Sequence, residues 1–149
     1  SMANIAIKQM QRDDQGDWAQ MRYALWPNES YDEHLRDAGN ILTSGDEWAF
    51  IARTDDFAPV GLAEVAVRKY ANGCTERPVA FLEGIWVAPD FRRQYVGKKL
   101  LTHIGAFLTQ RGYLEICSDT EIENTSSITA HRGWGFIETE RVVYFRKPL

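Results

Sequence analysis

The segment from Val79 to Gln110 most constrains what this chain can fold into. Val79–Val87 is an apolar run with the length of a buried strand, and Pro89 follows it closely. A short basic turn comes next, and residues 97–110 then repeat apolar side chains along one helix face. A strand, a turn and a helix in this order place backbone N–H groups and a helix dipole where they can receive an anion. The pattern predicts a site for a phosphorylated cofactor.

The charge of the turn strengthens this prediction. Acidic residues are favourable at a helix N-terminus, but this one carries four cations: Arg92, Arg93, Lys98 and Lys99. A bound phosphate would remove that conflict, and Gly97 would let the backbone come close to it. The alternative is a solvated basic helix end without a ligand.

The rest of the chain alternates predicted strands and helices. Further strands are predicted at 5–10, Trp48–Arg53, Val60–Arg68, Tyr113–Ser118, Gly135–Glu138 and Val142–Lys147. Further helices are predicted at 14–26, 31–43 and 124–132, with a loop at 70–78. The order β-α-α-β-β-β-α-β-α-β-β predicts an α/β fold whose sheet is partly parallel.

Length and composition narrow the class of protein. The 149 residues fit one domain, predicted over 4–149, with Ser1-Met2 as a remnant of an expression vector. A net charge of −4 makes general nucleic-acid binding unfavourable. No run reaches the ~18 apolar residues of a membrane span, and no signal peptide is visible, so a cytoplasmic protein is expected. Cys74 and Cys117 are expected as reduced thiols, with one disulfide as the alternative.

Acidic side chains supply a second charged region. Residues 115–123 contain four acids and no base: Glu115, Asp119, Glu121 and Glu123. One region of the chain therefore suits anions and the other suits cations, unless both are solvated surfaces.

Two carboxylates interrupt apolar strands. Glu83 lies in Val79–Val87 and Glu64 lies in Val60–Arg68, where an unpaired buried charge would cost several kcal/mol. Either a bound ammonium or a structural partner such as a nearby arginine would offset that cost. Asp119 follows a predicted strand, where it suits either an amine contact or a turn.

Two motifs together resemble the GNAT superfamily of acetyl-coenzyme-A-dependent N-acetyltransferases. Residues 92–97 resemble that family's phosphate loop, with Tyr95 where the family usually has Gly. Residues 124–136 resemble its later motif, with His131 where the family often has a Tyr that protonates the leaving thiolate. The resemblance implies acetyl-CoA as co-substrate and a mixed central sheet of about six to seven strands, splayed between its two central parallel strands.

The resemblance also implies which residues contact the cofactor. They are Ile85, Trp86, Val87, Arg92, Arg93, Gln94, Tyr95, Val96, Gly97, Lys98, Asn124, Ser127 and His131. A backbone N–H near Val87 is expected to polarise the thioester carbonyl.

A closer resemblance covers almost the whole chain and points to the aminoglycoside 6′-N-acetyltransferases. The matching segments are Leu25-Trp26-Pro27, Asn72-Gly73-Cys74, Phe81–Ile85, Ser118-Asp119-Thr120, Glu123-Asn124-Thr125 and Glu138–Arg141. It implies a homodimer that confers antibiotic resistance, with exchange of C-terminal strands as one arrangement of that dimer. The implied substrate contacts are Trp26, Glu64, Tyr70, Glu83, Asp119 and Glu140, with Asp119 and Glu83 as the catalytic carboxylates.

The expected reaction is direct acetyl transfer to a primary amine, with a water chain to Asp119 or Glu83 carrying the proton away. The alternatives are acetylation of a polyamine or a peptide amine, or a non-catalytic protein that binds acyl-CoA. No metal is expected, because His34, His103 and His131 lack ligand spacing. Neither nucleic acid nor membrane is an expected partner.

Overall fold

The computed structural model describes residues 4–93 and 95–149. Its strands are β1 (Ile5–Gln9), β2 (Glu47–Thr54), β3 (Pro59–Arg68), β4 (Val79–Val87) and β5 (Ile116–Cys117). Its α-helices are α1 (Gln15–Leu25), α2 (Tyr31–Thr43), α3 (Val96–Gln110) and α4 (Thr125–Gly133). Short 3-10 turns lie at Arg12–Asp14 and Pro89–Phe91.

The described strands form one mixed sheet in the order β1-β2-β3-β4-β5. The first three pairings are antiparallel, and β4 pairs with β5 in parallel. A parallel pair needs a long crossover, which α3 provides. Leu100, Ile104 and Leu108 of α3 are buried against the sheet, as the apolar stripe predicts. The predicted α/β class with a partly parallel sheet is confirmed.

Helices α1 and α2 cover the other face of the sheet. Trp18 and Met21 of α1 and Ala38 of α2 pack with Ile51 and Leu62 of the central strands. The chain reverses between the two helices because Pro27 cannot continue α1. Ser30 then caps α2 by accepting a hydrogen bond from the Glu33 N–H.

The sheet opens between β4 and β5. The pairing consists of Ala80 with Ile116 and Phe81 with Cys117, so the β4 edge from Leu82 onwards has no strand beside it in the described chain. On the other edge of β4, Glu64 pairs with Gly84 whereas Val65 pairs with Leu82. Glu83 is therefore the additional residue of a β-bulge, a feature that redirects side chains.

The predicted strands near the C-terminus are wrong for the single chain. Gly135–Glu138 and Val142–Lys147 form no strand, and the strand predicted over Tyr113–Ser118 is limited to Ile116–Cys117. Strand geometry persists only where a neighbour satisfies the backbone N–H and carbonyl groups, and this segment finds none among the described residues. The sheet therefore has five strands rather than six or seven.

The cysteines also differ from the expectation of reduced thiols. A disulfide joins Cys74 to Cys117, whose Cα atoms are 6.3 Å apart. It connects the loop before β4 to the end of β5. Among the residues described, no helix is long and apolar enough to cross a bilayer.

Candidate active site

A cleft of about 1090 Å³ lies where β4 and β5 diverge. Its walls come from four parts of the chain: the loop at 70–74, the end of β5 with residues 118–122, one side of α4, and the segment 134–144. Arg68 and Phe81 reach it from β3 and β4.

The N-terminus of α3 is electropositive and uncapped. Tyr95 precedes the helix with φ 65°, the left-handed conformation that glycine adopts more easily, and its side chain makes no cap hydrogen bond. The first turn holds no acid, and the Lys99 N–H donates to the Tyr95 carbonyl at 2.9 Å. The first N–H groups of any α-helix have no partner within the helix, so this end of α3 suits an anion.

The side chains of the predicted phosphate loop are not equivalent. Arg93 and Lys98 are exposed, whereas Arg92 donates its Nε–H to the Val87 carbonyl at 3.0 Å, which ties the loop to the end of β4. Val96 is buried in the core, so only its backbone can serve a ligand. Gln94, another predicted contact, lies outside the described residues.

Gly97 has a packing role that differs from the one predicted. A Cβ atom at this position would lie 2.5 Å from the indole Nε1 of Trp134. The missing side chain therefore admits Trp134, which packs on the first turn of α3.

The motif on α4 forms a hydrogen-bonded chain. Asn124 caps the helix by accepting from the Ser127 N–H at 3.1 Å, the simpler of its possible roles. His131 Nδ1 lies 2.7 Å from the Ser127 carbonyl, which can only accept, so Nδ1 carries the proton. The Nε2 atom lies 2.7 Å from Ser118 Oγ, so the ring connects the Ser127 carbonyl to the Ser118 hydroxyl. His131 and Ser118 both line the cleft.

Glu83 already has a cationic partner. Arg68 donates Nε–H and Nη2–H to the two carboxylate oxygens at 2.8 and 2.7 Å. This pair is half-exposed, so the charge in the strand is offset by an arginine before any ligand arrives. Arg68 has no place in the site predicted from the sequence, because nothing local in the sequence shows that the register of β3 and β4 brings it to Glu83.

The placement of Glu64 contradicts its predicted role as a substrate contact. Its carboxylate is buried, accepts from Arg22 Nη1 at 2.5 and 2.6 Å, and accepts from Trp18 Nε1 at 2.8 Å. Arg22 also bonds His34 and Asp37. The carboxylate therefore belongs to the core between α1 and the sheet.

Trp26 stands beside the bulge, at the end of α1. Its ring lies so close to Gly84 that a Cβ there would be 2.5 Å from the indole. The Arg22 guanidinium lies 4.8 Å from the ring centroid, and His34 Nε2–H donates to the Trp26 carbonyl at 2.9 Å. The structure therefore holds Trp26 next to the residue that follows Glu83.

Ile85, Trp86 and Val87 continue along the open edge of β4. All three are half-buried, and their side chains pack against the two core clusters. Their backbone is the part of β4 that faces away from β3 without a neighbouring strand.

Two carboxylates, Glu76 and Glu115, connect the loop at 70–78 to the segment before β5 by hydrogen bonds in both directions. Glu76 accepts from the Leu114 and Glu115 N–H groups, and Glu115 accepts from the Thr75 and Glu76 N–H groups at 2.6 Å. The Glu76 backbone bond is the largest cause that lowers the pKa of Glu115. These bonds hold the wall of the cleft that contains Tyr70.

Asp119, Glu140 and Tyr70 all line the cleft and are exposed. Several cleft residues were not predicted from the sequence, among them Arg68, Ser118, which bonds His131, and Tyr144 in the C-terminal segment. The position of Ser118 directly before Asp119 is the sequence feature that could have identified it as a site residue.

One group of potential metal ligands occurs among the described residues. Atoms of Glu29, His34 and Asp37 lie within 4.8 Å of one another. Both His34 nitrogens are already engaged, with Arg22 and the Trp26 carbonyl, so the group carries no metal assignment.

Comparison with known proteins agrees with this geometry. The acetyltransferase (GNAT) family profile matches residues 7–136. An aminoglycoside N(6′)-acetyltransferase type 1 from Salmonella typhimurium strain LT2 is 43% identical over 142 residues, 95% of this chain and 97% of that protein. A protein of the same name from Serratia marcescens is 46% identical over 133 residues, 89% of this chain and 91% of that protein.

Solved structures show the same relationship. AAC(6′)-Iy in complex with the bisubstrate analog CoA-S-monomethyl-acetylneamine is 40% identical, with a TM-score of 0.92 over 99% of this chain and 100% of that chain. AAC(6′)-Ih from Acinetobacter baumannii is 34% identical, with a TM-score of 0.92 over 98% and 99% of the two chains. The chain belongs to the acetyltransferase (GNAT) family and, within it, to the aminoglycoside N(6′)-acetyltransferases of type 1.

Proposed function

We propose that this chain, as a single domain over residues 4–149, transfers acetyl from acetyl-CoA to the 6′-amine of aminoglycosides and so confers resistance to them. The observation that carries the proposal is the difference in charge between the two ends of the gap where β4 and β5 separate. A basic, uncapped helix N-terminus stands at one end, and the cleft with Asp119 and Glu140 stands at the other. This polarity suits a phosphorylated donor and a polycationic acceptor. The relatives named above are aminoglycoside acetyltransferases.

The donor end consists of the α3 N-terminus and the open edge of β4. The N–H groups at residues 96–98 bind the pyrophosphate, with Arg92, Arg93 and Lys98 beside them. The pantetheine lies along the backbone of Ile85–Val87, where an N–H near Val87 polarises the thioester carbonyl. Proximity of the bound partners then supplies much of the rate.

The acceptor end consists of carboxylates and aromatic walls. Asp119, Glu140 and Glu83 attract ammonium groups of the substrate, and Trp26 and Tyr70 contact its rings. The amine attacks the thioester carbonyl only after it loses a proton, which a water chain carries to Asp119 or Glu83. The C–S bond then breaks and the thiolate takes up a proton.

His131 and Ser118 are candidates for that last step. Both line the cleft, and His131 Nε2 lies 2.7 Å from Ser118 Oγ, so a proton can pass between them on its way to the thiolate. The proton lost by the amine is a suitable source. No covalent enzyme intermediate is required.

The deciding experiment measures thiol release from acetyl-CoA with neamine, which has a 6′-amine, and with paromamine, which has a 6′-hydroxyl. We expect turnover with neamine and none with paromamine. Turnover with neither, but with a polyamine or peptide amine, would reassign the acceptor. No turnover with any amine would indicate a protein that binds acyl-CoA without catalysis.

Variants then test the carboxylates. Glu83→Gln and Asp119→Asn should each lower kcat/KM for neamine about tenfold or more, because each removes a charge-assisted contact, while KM for acetyl-CoA changes little. Glu29→Gln, an exposed carboxylate outside the cleft, is the matched control. Parent-like kinetics in both Glu83→Gln and Asp119→Asn would contradict the proposed acceptor site.

The proposed assembly is a homodimer in which the C-terminal strands pair across the two chains. Support comes from Val143, Tyr144 and Phe145, which are 76%, 76% and 91% exposed in the single chain. Apolar side chains in an unpaired segment favour a partner surface. Sedimentation equilibrium should give twice the chain mass, and Tyr144→Asp with Phe145→Asp should give the monomer. A parent that sediments as a monomer would exclude this assembly.

Acetyl-CoA is a cytoplasmic metabolite, so the cytoplasm is the proposed site of action. Thiols are mostly reduced in that compartment. Thiol titration of protein trapped by alkylation during lysis would measure how much of the Cys74–Cys117 bond exists there.

A further inference from the structure

Arg68 is hydrogen-bonded to Glu83, the carboxylate that the substrate is expected to bind. It is the last residue of β3, lines the cleft, and binds both oxygens of Glu83. Its guanidinium carbon also lies 3.5 Å above the centre of the Phe81 ring. Two directional hydrogen bonds and a ring contact hold this cation in place without a ligand.

The pair changes what Glu83 can offer to an incoming ammonium. A lone carboxylate attracts it as a full charge, whereas a carboxylate paired with a guanidinium attracts it only as a dipole. The Glu83 hydrogen bond is the largest cause that raises the pKa of Arg68, and the charges of Glu83 and Asp119 add to it. Arg68 therefore stays charged and shares this carboxylate with any amine that enters.

Competition between Arg68 and the substrate amine for Glu83 favours acetyl transfer. Carboxylates around an amine favour its protonated form, which has no lone pair for attack. A fixed cation in the same cluster has the opposite effect, because it repels the ammonium more than the neutral amine. An arginine can do this without becoming an acid or a base, since it does not titrate near neutral pH.

We propose that Arg68 is a specificity-determining residue. As the counter-ion of Glu83, Arg68 weakens binding of the substrate's ammonium form and so favours the neutral amine that reacts. The inference rests on the proposed function for the identity of that amine. Its electrostatic content, competition between Arg68 and an entering cation for Glu83, holds for any polyamine that enters the cleft.

The test compares Arg68→Gln with Arg111→Gln. Arg111 is a matched control because it also lies 3.5 Å above a phenylalanine ring, that of Phe107, and does not line the cleft. Each variant removes one positive charge and one arginine–phenylalanine contact. Arg68→Met, which keeps an apolar contact with Phe81, checks that the effect comes from charge, and urea unfolding checks that each variant folds.

Calorimetric titration with neamine should give an about fivefold lower Kd for Arg68→Gln at low salt, with a smaller difference at high salt. Arg111→Gln should match the parent. The tighter binding should be accompanied by a lower kcat at neutral pH that recovers at higher pH, because the bound amine stays protonated longer. In the double variant Arg68→Gln/Glu83→Gln the gain in affinity should disappear.

The results that would overturn the inference differ from those that would overturn the function. Absence of neamine acetylation by the parent contradicts the proposed function alone, and the same titrations with spermidine then decide the role of Arg68. The inference is wrong if neither neamine nor spermidine binds Arg68→Gln more tightly than Arg111→Gln. It is also wrong if the variant raises KM with kcat and its pH profile unchanged, since Arg68 would then only shape the site.

Discussion

The buried ion pair between Arg22 and Glu64 should dominate the stability of this protein. Both side chains are nearly inaccessible, at 8% and 6% exposure, and Arg22 Nη1 meets both carboxylate oxygens of Glu64. Replacing Arg22 with Met keeps much of the side-chain volume but leaves the Glu64 charge with the Trp18 N–H alone. Removing one partner of a buried pair typically costs about 3–5 kcal/mol, because the remaining charge stays desolvated.

This loss is large relative to the total free energy of unfolding. Domains of this kind have unfolding free energies of about 5–15 kcal/mol, so Arg22→Met should remove about a fifth of the total or more. At about 2–4 °C per kcal/mol for this chain length, the melting temperature should fall by roughly 6–20 °C. In this variant His34 also loses the hydrogen bond that the Arg22 Nε–H donates to its Nδ1, a bond that orients the His34 ring toward the Trp26 carbonyl.

Urea unfolding of four proteins tests the reasoning: the parent, Arg22→Met, Glu64→Gln and the double variant. We expect the double variant to recover part of the single losses, since it leaves no buried charge unpaired. Arg141→Met is the control, because its pair with Glu138 is 61% and 45% exposed and should contribute less than about 1 kcal/mol. A loss below about 1 kcal/mol for Arg22→Met, or strictly additive losses, would refute the argument.

Three further predictions concern the helix end, the cofactor and acid stability. Tyr95→Gly should be about 1 kcal/mol more stable to urea than Tyr95→Ala, because φ 65° suits glycine; equal stability would remove the strain argument. Arg92→Ala should raise KM for acetyl-CoA several-fold, with a smaller effect at high salt, and an unchanged KM would count against a phosphate contact. Burial raises the pKa of Asp14, but the Arg53 hydrogen bond, the Gln11 N–H and the charges of Lys8 and Arg53 outweigh it and lower the pKa below 3.8. Asp14 therefore stabilises the fold above its unfolded-state pKa, and that contribution is lost as pH falls through the folded value. Urea midpoints should fall more steeply with acid below pH 3.8 for the parent than for Asp14→Asn, and parallel curves would contradict this linkage.

Local patterns in the sequence were enough to predict the main elements. The apolar stripe of α3 and the continuous apolar run of β4 have periods that depend only on neighbouring residues, and the structure contains both. The basic turn between them predicted cationic side chains at the start of a helix, and α3 begins there at Val96. Two motifs of short spacing identified the family, which the comparisons confirm.

The partners of the charged residues could not be predicted in this way. Glu64 meets Arg22 across 42 positions of chain, and Glu83 meets Arg68 across 15 positions, from the neighbouring strand. Periodicity shows that a strand contains a charge but does not show which distant side chain reaches it. The substrate role predicted for Glu64 is wrong for this reason.

The sequence by itself determined the class of fold, the family and the basic character of the start of α3. Tertiary structure decided which carboxylates line the cleft, that Trp134 fills the space at Gly97, and that residues 135–149 lack a neighbouring strand among the described residues. The physical reason is that helices and strands follow from local spacing, whereas ion pairs, close packing and sheet edges depend on contacts between segments far apart in the chain.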